Sequence, residues 1–140
     1  MHFYRLNEYV EEFLCPLKIY VMDKNDLKQK VEELNKMILE GKFLEAFDKF
    51  YAPEVRMQDN DLPIRDGFEA NRKFEEAFLS NIMEFRNAKL LNTIISDGVV
   101  ANEWHFDFSH KEWGVRNYSQ IGIQRWKNGK IIEEKFYYNN

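Results

Sequence analysis

In the last third of the chain, large residues return at every second position. The runs are Val99–Ser109, Val115–Trp126 and Lys130–Tyr138. A period of two marks strands, whose successive side chains point to opposite faces. One face carries Trp104, Phe106, Phe108, Phe136 and Tyr138, with Asn102, Gln120, Gln124 and, in one register, Glu134. A face that only packs a core is aliphatic throughout. Aromatic walls with a few polar groups are what a small-molecule pocket requires.

Upstream the period lengthens. Phe3, Leu6, Val10, Phe13 and Leu14 fall at helical spacing and predict an N-terminal helical arm stopped near Pro16. Leu27, Val31, Leu34 and Ile38 form an apolar stripe that predicts a helix from Leu27 to Glu40. Asn25 or Asp26 is its expected N-cap, and Gly41 its C-terminal stop. A second helix is expected over Phe43–Phe50, ended before Pro53. Val55, Met57 and Asp59 alternate with Arg56 and Gln58 as a short strand running into the turn Asp59-Asn60-Asp61. Pro63 and Gly67 punctuate a loop. A third helix, Phe68–Asn81, is expected to present Phe74, Ala77 and Phe78 inward. A strand from Glu84 to Ser96 and the turn Asp97-Gly98 lead into the three runs.

Asn128-Gly129 is a hairpin signal. A two-residue turn pairs Gln124 with Glu133. A three-residue loop with Gly129 at a bulge pairs Gln124 with Ile132 and Gly122 with Glu134. The second is preferred, because it puts Ile132, Phe136 and Tyr138 on the face of Gln120 and Gly122. Helices followed by antiparallel strands predict an α+β domain, with three helices segregated on one face of a strongly bent, mainly antiparallel sheet. Such a sheet closing over helices makes a cone with an interior.

Composition narrows the function classes. A chain of 140 residues is one domain with a real core. The net charge is −4 and basic residues are scattered, which argues against nucleic acid. The single cysteine, Cys15, allows no intrachain disulfide and fits a cytoplasmic protein. No run approaches the ~20 apolar residues of a membrane span. The three histidines do not fall at metal-ligand spacing with the acids, so no metal and no cofactor is expected. His105 and Asp107 belong to the opposite, convex face, and His110 to a turn. Ser119, Ile121, Ile123, Arg125 and Tyr137 make that face partly apolar, which predicts a homodimer.

Three segments carry a family resemblance: ILEGKFLEAFDKFYAPEVRMQDN, PIRDGFEANRKF and IQRWKNGKIIEEKFYY. From about Asp26 to Tyr138 the chain resembles the nuclear transport factor 2-like superfamily, in particular its SnoaL-like (polyketide cyclase-like) branch. The resemblance implies a cone-shaped α+β barrel with a pocket between the helices and the concave sheet face, and frequent homodimers through the sheet. Residues 22–140 form that domain, with 1–21 an extension and Met22 an alternative start. Such a fold hosts isomerases, dehydratases, hydrolases, cyclases and binding modules.

The resemblance also places Asp59 where ketosteroid isomerase relatives carry a strand-end base. A carboxylate aimed into an aromatic cavity is suited to proton transfer. The competing reading is a turn aspartate. The tyrosine and acid that complete the isomerase site fall near Leu34 or Asn35 and on Gly122, which speaks against steroid-type isomerisation. Glu134 is the candidate second acid, or else a solvated member of the run Glu133-Glu134-Lys135. Met57, Asn102, Trp104, Phe106, Phe108, Tyr118, Gln120, Gln124, Phe136 and Tyr138 are the expected binding residues, and Tyr51 is expected to pack beneath them. The function expected is binding of a small apolar, oxygenated metabolite, with or without cofactor-free acid/base chemistry. A non-catalytic binding protein and a protein-interaction module are the alternatives.

Overall fold

A computed structural model describes residues 24–139. The expected N-terminal arm lies outside the described residues. The element order is α1 (Lys24–Leu39), α2 (Phe43–Phe50), β1 (Tyr51–Asp59), β2 (Arg65–Asp66), α3 (Phe68–Ser80), β3 (Ile82–Ser96), β4 (Val99–His110), β5 (Gly114–Lys127) and β6 (Lys130–Tyr137). The three helices pack on one six-stranded sheet of order β2-β1-β6-β5-β4-β3. The fold is α+β as expected, with an open sheet rather than a closed barrel. β1 and β6 run parallel and every other pair is antiparallel.

The first helix begins earlier than its capping residues suggested. Asn25 and Asp26 sit in its first turn, where Asp26 faces the positive end of the helix dipole. Its end follows the expectation. Gly41 adopts φ +77°, Lys42 N–H donates to the Met37 carbonyl at 2.9 Å and Gly41 N–H to Ile38 at 3.0 Å. That pair of bonds is a Schellman stop.

Pro53 does not end a helix at a distance. It lies inside β1, where the pairing with β6 slips between Tyr51 and Arg56. A proline is tolerated in such an irregular stretch. β2 falls where the sequence predicts a loop; its two residues pair with Arg56 and Met57. Asn71 fixes this corner, donating to the backbone carbonyls of Arg65 (2.9 Å) and Gly67 (2.8 Å).

The bend of the sheet has a local cause. β3 has 15 residues and its partner β4 has 12. Register shifts at three points absorb the surplus. Each bulge bends and twists the strand that carries it.

The β5–β6 hairpin corrects the preferred register. Lys127 pairs with Lys130, so the turn is the two-residue kind, with both Asn128 (φ 53°) and Gly129 (φ 76°) left-handed. The bulge falls deeper, between Arg125 and Trp126, and Gln124 pairs with Glu134 and Gly122 with Phe136. Ile131, not Ile132, is then the residue sealed in the core.

The core fills one end of the cone. Leu27, Val31 and Leu34 of α1 meet Phe47 and Phe50 of α2, Val55 of β1, Val100, Trp126 and Ile131. Toward the other end the residues of the concave face become aromatic and polar, and the space between sheet and helices opens.

Candidate functional site

That space is a cavity of about 620 Å³. Every residue expected to bind lines it: Met57, Asn102, Trp104, Phe106, Phe108, Tyr118, Gln120, Gln124, Phe136 and Tyr138, and with them Asp59 and Glu134. His105 bonds Ser119 and Asn117 on the convex face, as expected. His110 closes β4 rather than sitting in a turn. It is buried and stacked against Trp113, with ring centroids 3.9 Å apart.

Two acids reach the cavity in unlike settings. Asp59 ends β1. Tyr138 Oη donates to its Oδ1 at 3.0 Å, and Arg65 Nη1 stands 2.7 Å from Oδ2. The Arg65 contact is an ion pair by distance, set outside hydrogen-bond angles. Arg65 is itself held, stacked 3.7 Å over the Phe74 ring and donating to Asn71 Oδ1. Asn60 secures the arrangement. Its positive φ turns the chain, and its side chain both donates to and accepts from the backbone of Tyr138.

Glu134 has no cation beside it. It is 4% exposed on β6, and its carboxyl accepts from Tyr51 Oη and, at 2.7 Å, from Gln124 Nε2. Burial pushes it up to about 7, against the two hydrogen bonds, which favour the charged form. Trp126 Nε1 donates to Gln124 Oε1 at 3.0 Å. The indole can only donate, so it fixes the Gln124 amide with its NH₂ toward Glu134. Glu134 Oε2 therefore always faces a donor. A proton on Glu134 belongs on Oε1, where it donates to the Tyr51 oxygen and turns the Tyr51 hydroxyl hydrogen free of Glu134.

Besides Arg65, three contributors were not foreseen. Tyr51 is not merely packing; its ring stacks on Phe47 and its hydroxyl reaches Glu134. Glu75 of α3 lines the cavity, while Ala77, expected inward, is exposed. Asn71, Phe74, Glu75 and Phe78 stand at helical spacing, which was the available signal. Glu75 is half-buried as a residue, yet burial of its carboxyl pushes it up to about 7, with nearby Asp59 adding to the rise and Arg65 and Arg72 opposing it. Arg116 also lines the cavity, its guanidinium 4.6 Å over Tyr118. Burial holds the Tyr118 hydroxyl at about 12 and raises Tyr138 further, so both stay protonated donors.

The polar wall is equally fixed. Asn102 Oδ1 accepts from Asn35 Nδ2 (3.0 Å) and Thr93 Oγ1 (2.9 Å). Gly122 leaves room beside this wall, and a Cβ there would stand 3.6 Å from Glu134 Oε2. The Glu134 carboxyl thus occupies the space beside Gly122 from the neighbouring strand. Among the described residues no cluster of His, Cys, Asp and Glu is arranged to hold a metal, and no helix is long and apolar enough to cross a membrane.

Similar solved structures share the architecture. A candidate SnoaL-like polyketide cyclase from Mesorhizobium loti aligns with TM-score 0.73 and 23% identity, covering 79% of this chain and 97% of its own. An NTF2-like protein of unknown function from Burkholderia pseudomallei aligns with TM-score 0.70 and 16% identity, covering 84% and 92%. A protein of ketosteroid isomerase-like fold from Catenulispora acidiphila, solved with trimethylamine, aligns with TM-score 0.62 and 13% identity, covering 74% and 80%. No curated protein sequence matches the chain. The model of the SnoaL-like domain matches residues 31–134, and the chain belongs to that family.

Proposed function

We propose that the cavity binds a small apolar, oxygenated molecule and moves a proton on it without a cofactor. The observation that carries this reading is the pair of unlike acids in one aromatic chamber. Asp59 has Arg65 as countercharge and serves as the base. Glu134, pushed up to about 7 by burial, still carries a proton in a substantial fraction of molecules near neutral pH. Its proton on Oε1 frees the Tyr51 hydroxyl to donate toward a ligand oxygen. Negative charge developing on that oxygen as Asp59 accepts the proton then meets a donor that is already oriented. Asn102 and Gln120 orient the ligand, and the rings of Trp104, Phe106, Phe108 and Phe136 wall it.

The test is an NMR screen of small ketones, enones and hydroxy-acids against the wild type, Asp59→Asn and Glu134→Gln. The expected result is a compound that shifts cavity resonances and exchanges or moves a carbon-bound proton. Asp59→Asn should bind it and slow that step by at least about a hundredfold, the lower range for a general base. Binding without proton movement in the wild type would leave a binding module. No compound shifting the cavity would overturn the reading.

The convex face fits a second copy of the chain. Ile94 (65% exposed), Ile121 (43%) and Tyr137 (48%) lie there beside Ile123. An antiparallel sheet can leave one face to water, and a contiguous exposed apolar patch on such a face marks an interaction surface. Sedimentation velocity should give a dimer for the wild type and a monomer for Ile121→Glu. A wild-type monomer at about 100 µM would remove this part of the proposal; that concentration is far above the Kd of a stable interface.

A further inference from the structure

Proton transfer by Asp59, Glu134 and Tyr51 leaves one cavity acid without a task. Glu75 projects from α3 into the chamber, and among the described residues no hydrogen bond or ion pair satisfies its carboxyl. The cations around it are committed elsewhere. Arg65 pairs with Asp59 and lies flat on Phe74. Arg72, one turn back on the same helix, points outward to Asp48 and Glu76. Arg116 rests on Tyr118 and donates to the Asn139 carbonyl. Glu134 is served by two neutral donors and needs nothing more. The cavity thus holds an acid whose nearby cations, Arg65 and Arg72, are each paired with another carboxylate, walled by rings that include Phe47, Phe78, Trp104 and Trp113. Rings attract cations through their negative faces, and a buried carboxylate requires a partner.

We infer that the ligand carries a positively charged nitrogen, a protonated amine or quaternary ammonium on an apolar body, seated against Glu75 within the aromatic wall. This rests on the cavity's being a small-molecule site and names the class of molecule it takes. The ammonium supplies the missing countercharge, and the apolar body fills the chamber. The oxygen function remains at Tyr51, and the proton that moves remains within reach of Asp59.

The pH dependence follows from the groups around Glu75: Asp59 of β1 and Glu134 of β6 raise its proton affinity or share its field, while Arg65 of β2 and Arg72 of α3 lower it. Its carboxyl rests near 7 when the site is empty, so a cation binds the ionised form preferentially. Between pH 6 and pH 8 the ionised fraction, and with it the affinity, rises about tenfold.

The experiment uses three probes built on one benzyl group: benzyltrimethylammonium, its neutral isostere neopentylbenzene, and the smaller anion phenylacetate. Titration is followed by the fluorescence of cavity-lining Trp104 and Trp113 and by NMR. The quaternary probe keeps its charge at every pH, so any pH effect belongs to the protein. The expected result is benzyltrimethylammonium bound at least tenfold tighter than neopentylbenzene at pH 8, weakening about tenfold at pH 6. Glu75→Gln should cut the preference at least tenfold at pH 8 and remove most of the pH effect, what remains coming from Glu134, which ionises over the same range. Glu76→Gln, altered on the exposed side of the same helix, should keep both. Equal binding of the cation and the neutral isostere, or a cation preference undiminished in Glu75→Gln, would overturn the inference and leave the cavity a ligand site. Tighter binding of phenylacetate would overturn it as well. If none of the three shifts a cavity resonance, both the inference and the binding reading fail. The wild-type probe series decides the matter even should Glu75→Gln fold poorly.

Discussion

Replacing Glu134 with Gln is expected to stabilise the protein by about 3 kcal/mol at pH 8 and to change little at pH 4. The sign comes from linkage. In the unfolded chain the carboxyl loses its proton near the ordinary 4.5; in the folded protein it holds the proton to about 7. Between those values the folded state binds more protons than the unfolded one, so stability falls as pH rises. Below about 4.5 the group is protonated in both states and its contribution is complete. Above about 7 the loss is complete, and the gap between the two values is worth about 3 kcal/mol. Gln carries no charge to bury. Its carbonyl still accepts from Gln124 Nε2, and its NH₂ can donate to the Tyr51 oxygen, so neither neighbour is orphaned. Thermal melts of both proteins at pH 4, 6 and 8 would check it, with a gain on the order of 10 °C at pH 8. Equal melting temperatures at pH 8 would mean that Glu134 sits in a more hydrated place than its 4% exposure implies.

Leu34→Ala is expected to cost about 3 kcal/mol, within the 2–5 kcal/mol range for buried Leu truncations. Leu34 is 0% exposed and belongs both to the core cluster and to the cavity lining. Its removal takes away packing from Val31 and Phe47 on one side and deepens the chamber on the other. Urea unfolding should show a lower midpoint with an unchanged slope, the sign that stability and not the mode of unfolding has altered. A loss under 1 kcal/mol would mean that the chamber floor collapses to fill the gap.

Much of this protein is legible in its sequence because its strands keep one strict rule. From Asn102 to Phe108 and from Tyr118 to Gln124 every second residue enters the cavity, and no bulge interrupts the β4–β5 pairing. Alternation therefore translates directly into placement. β6 breaks the rule once, beside Ile132, and a single bulge exchanges which isoleucine is buried and which residue faces Gln124. The same stretch of β6 also pairs with β1 through a register slip, a parallel contact with no local signature. Glu75 stayed hidden for another reason. A charged residue on a helix is read as solvated, and only the hollow beneath α3 makes an inward acid tolerable. Tyr51 looked like a core ring because its ring is one; the distant partner of its hydroxyl is not visible from its neighbours in the chain.

The parallel pairing of β1 with β6 sets a delay in the life of each molecule. Tyr51 and Glu134, bonded in the finished site, lie 83 positions apart. A ribosome needs on the order of ten seconds to cover that distance. Throughout that interval β1 has an unpaired edge, open to any other extended segment that reaches it first. The contact that joins Tyr51 to Glu134 is thus a step at which a nascent chain is open to capture by a chaperone or to mispairing with its neighbour on the polysome.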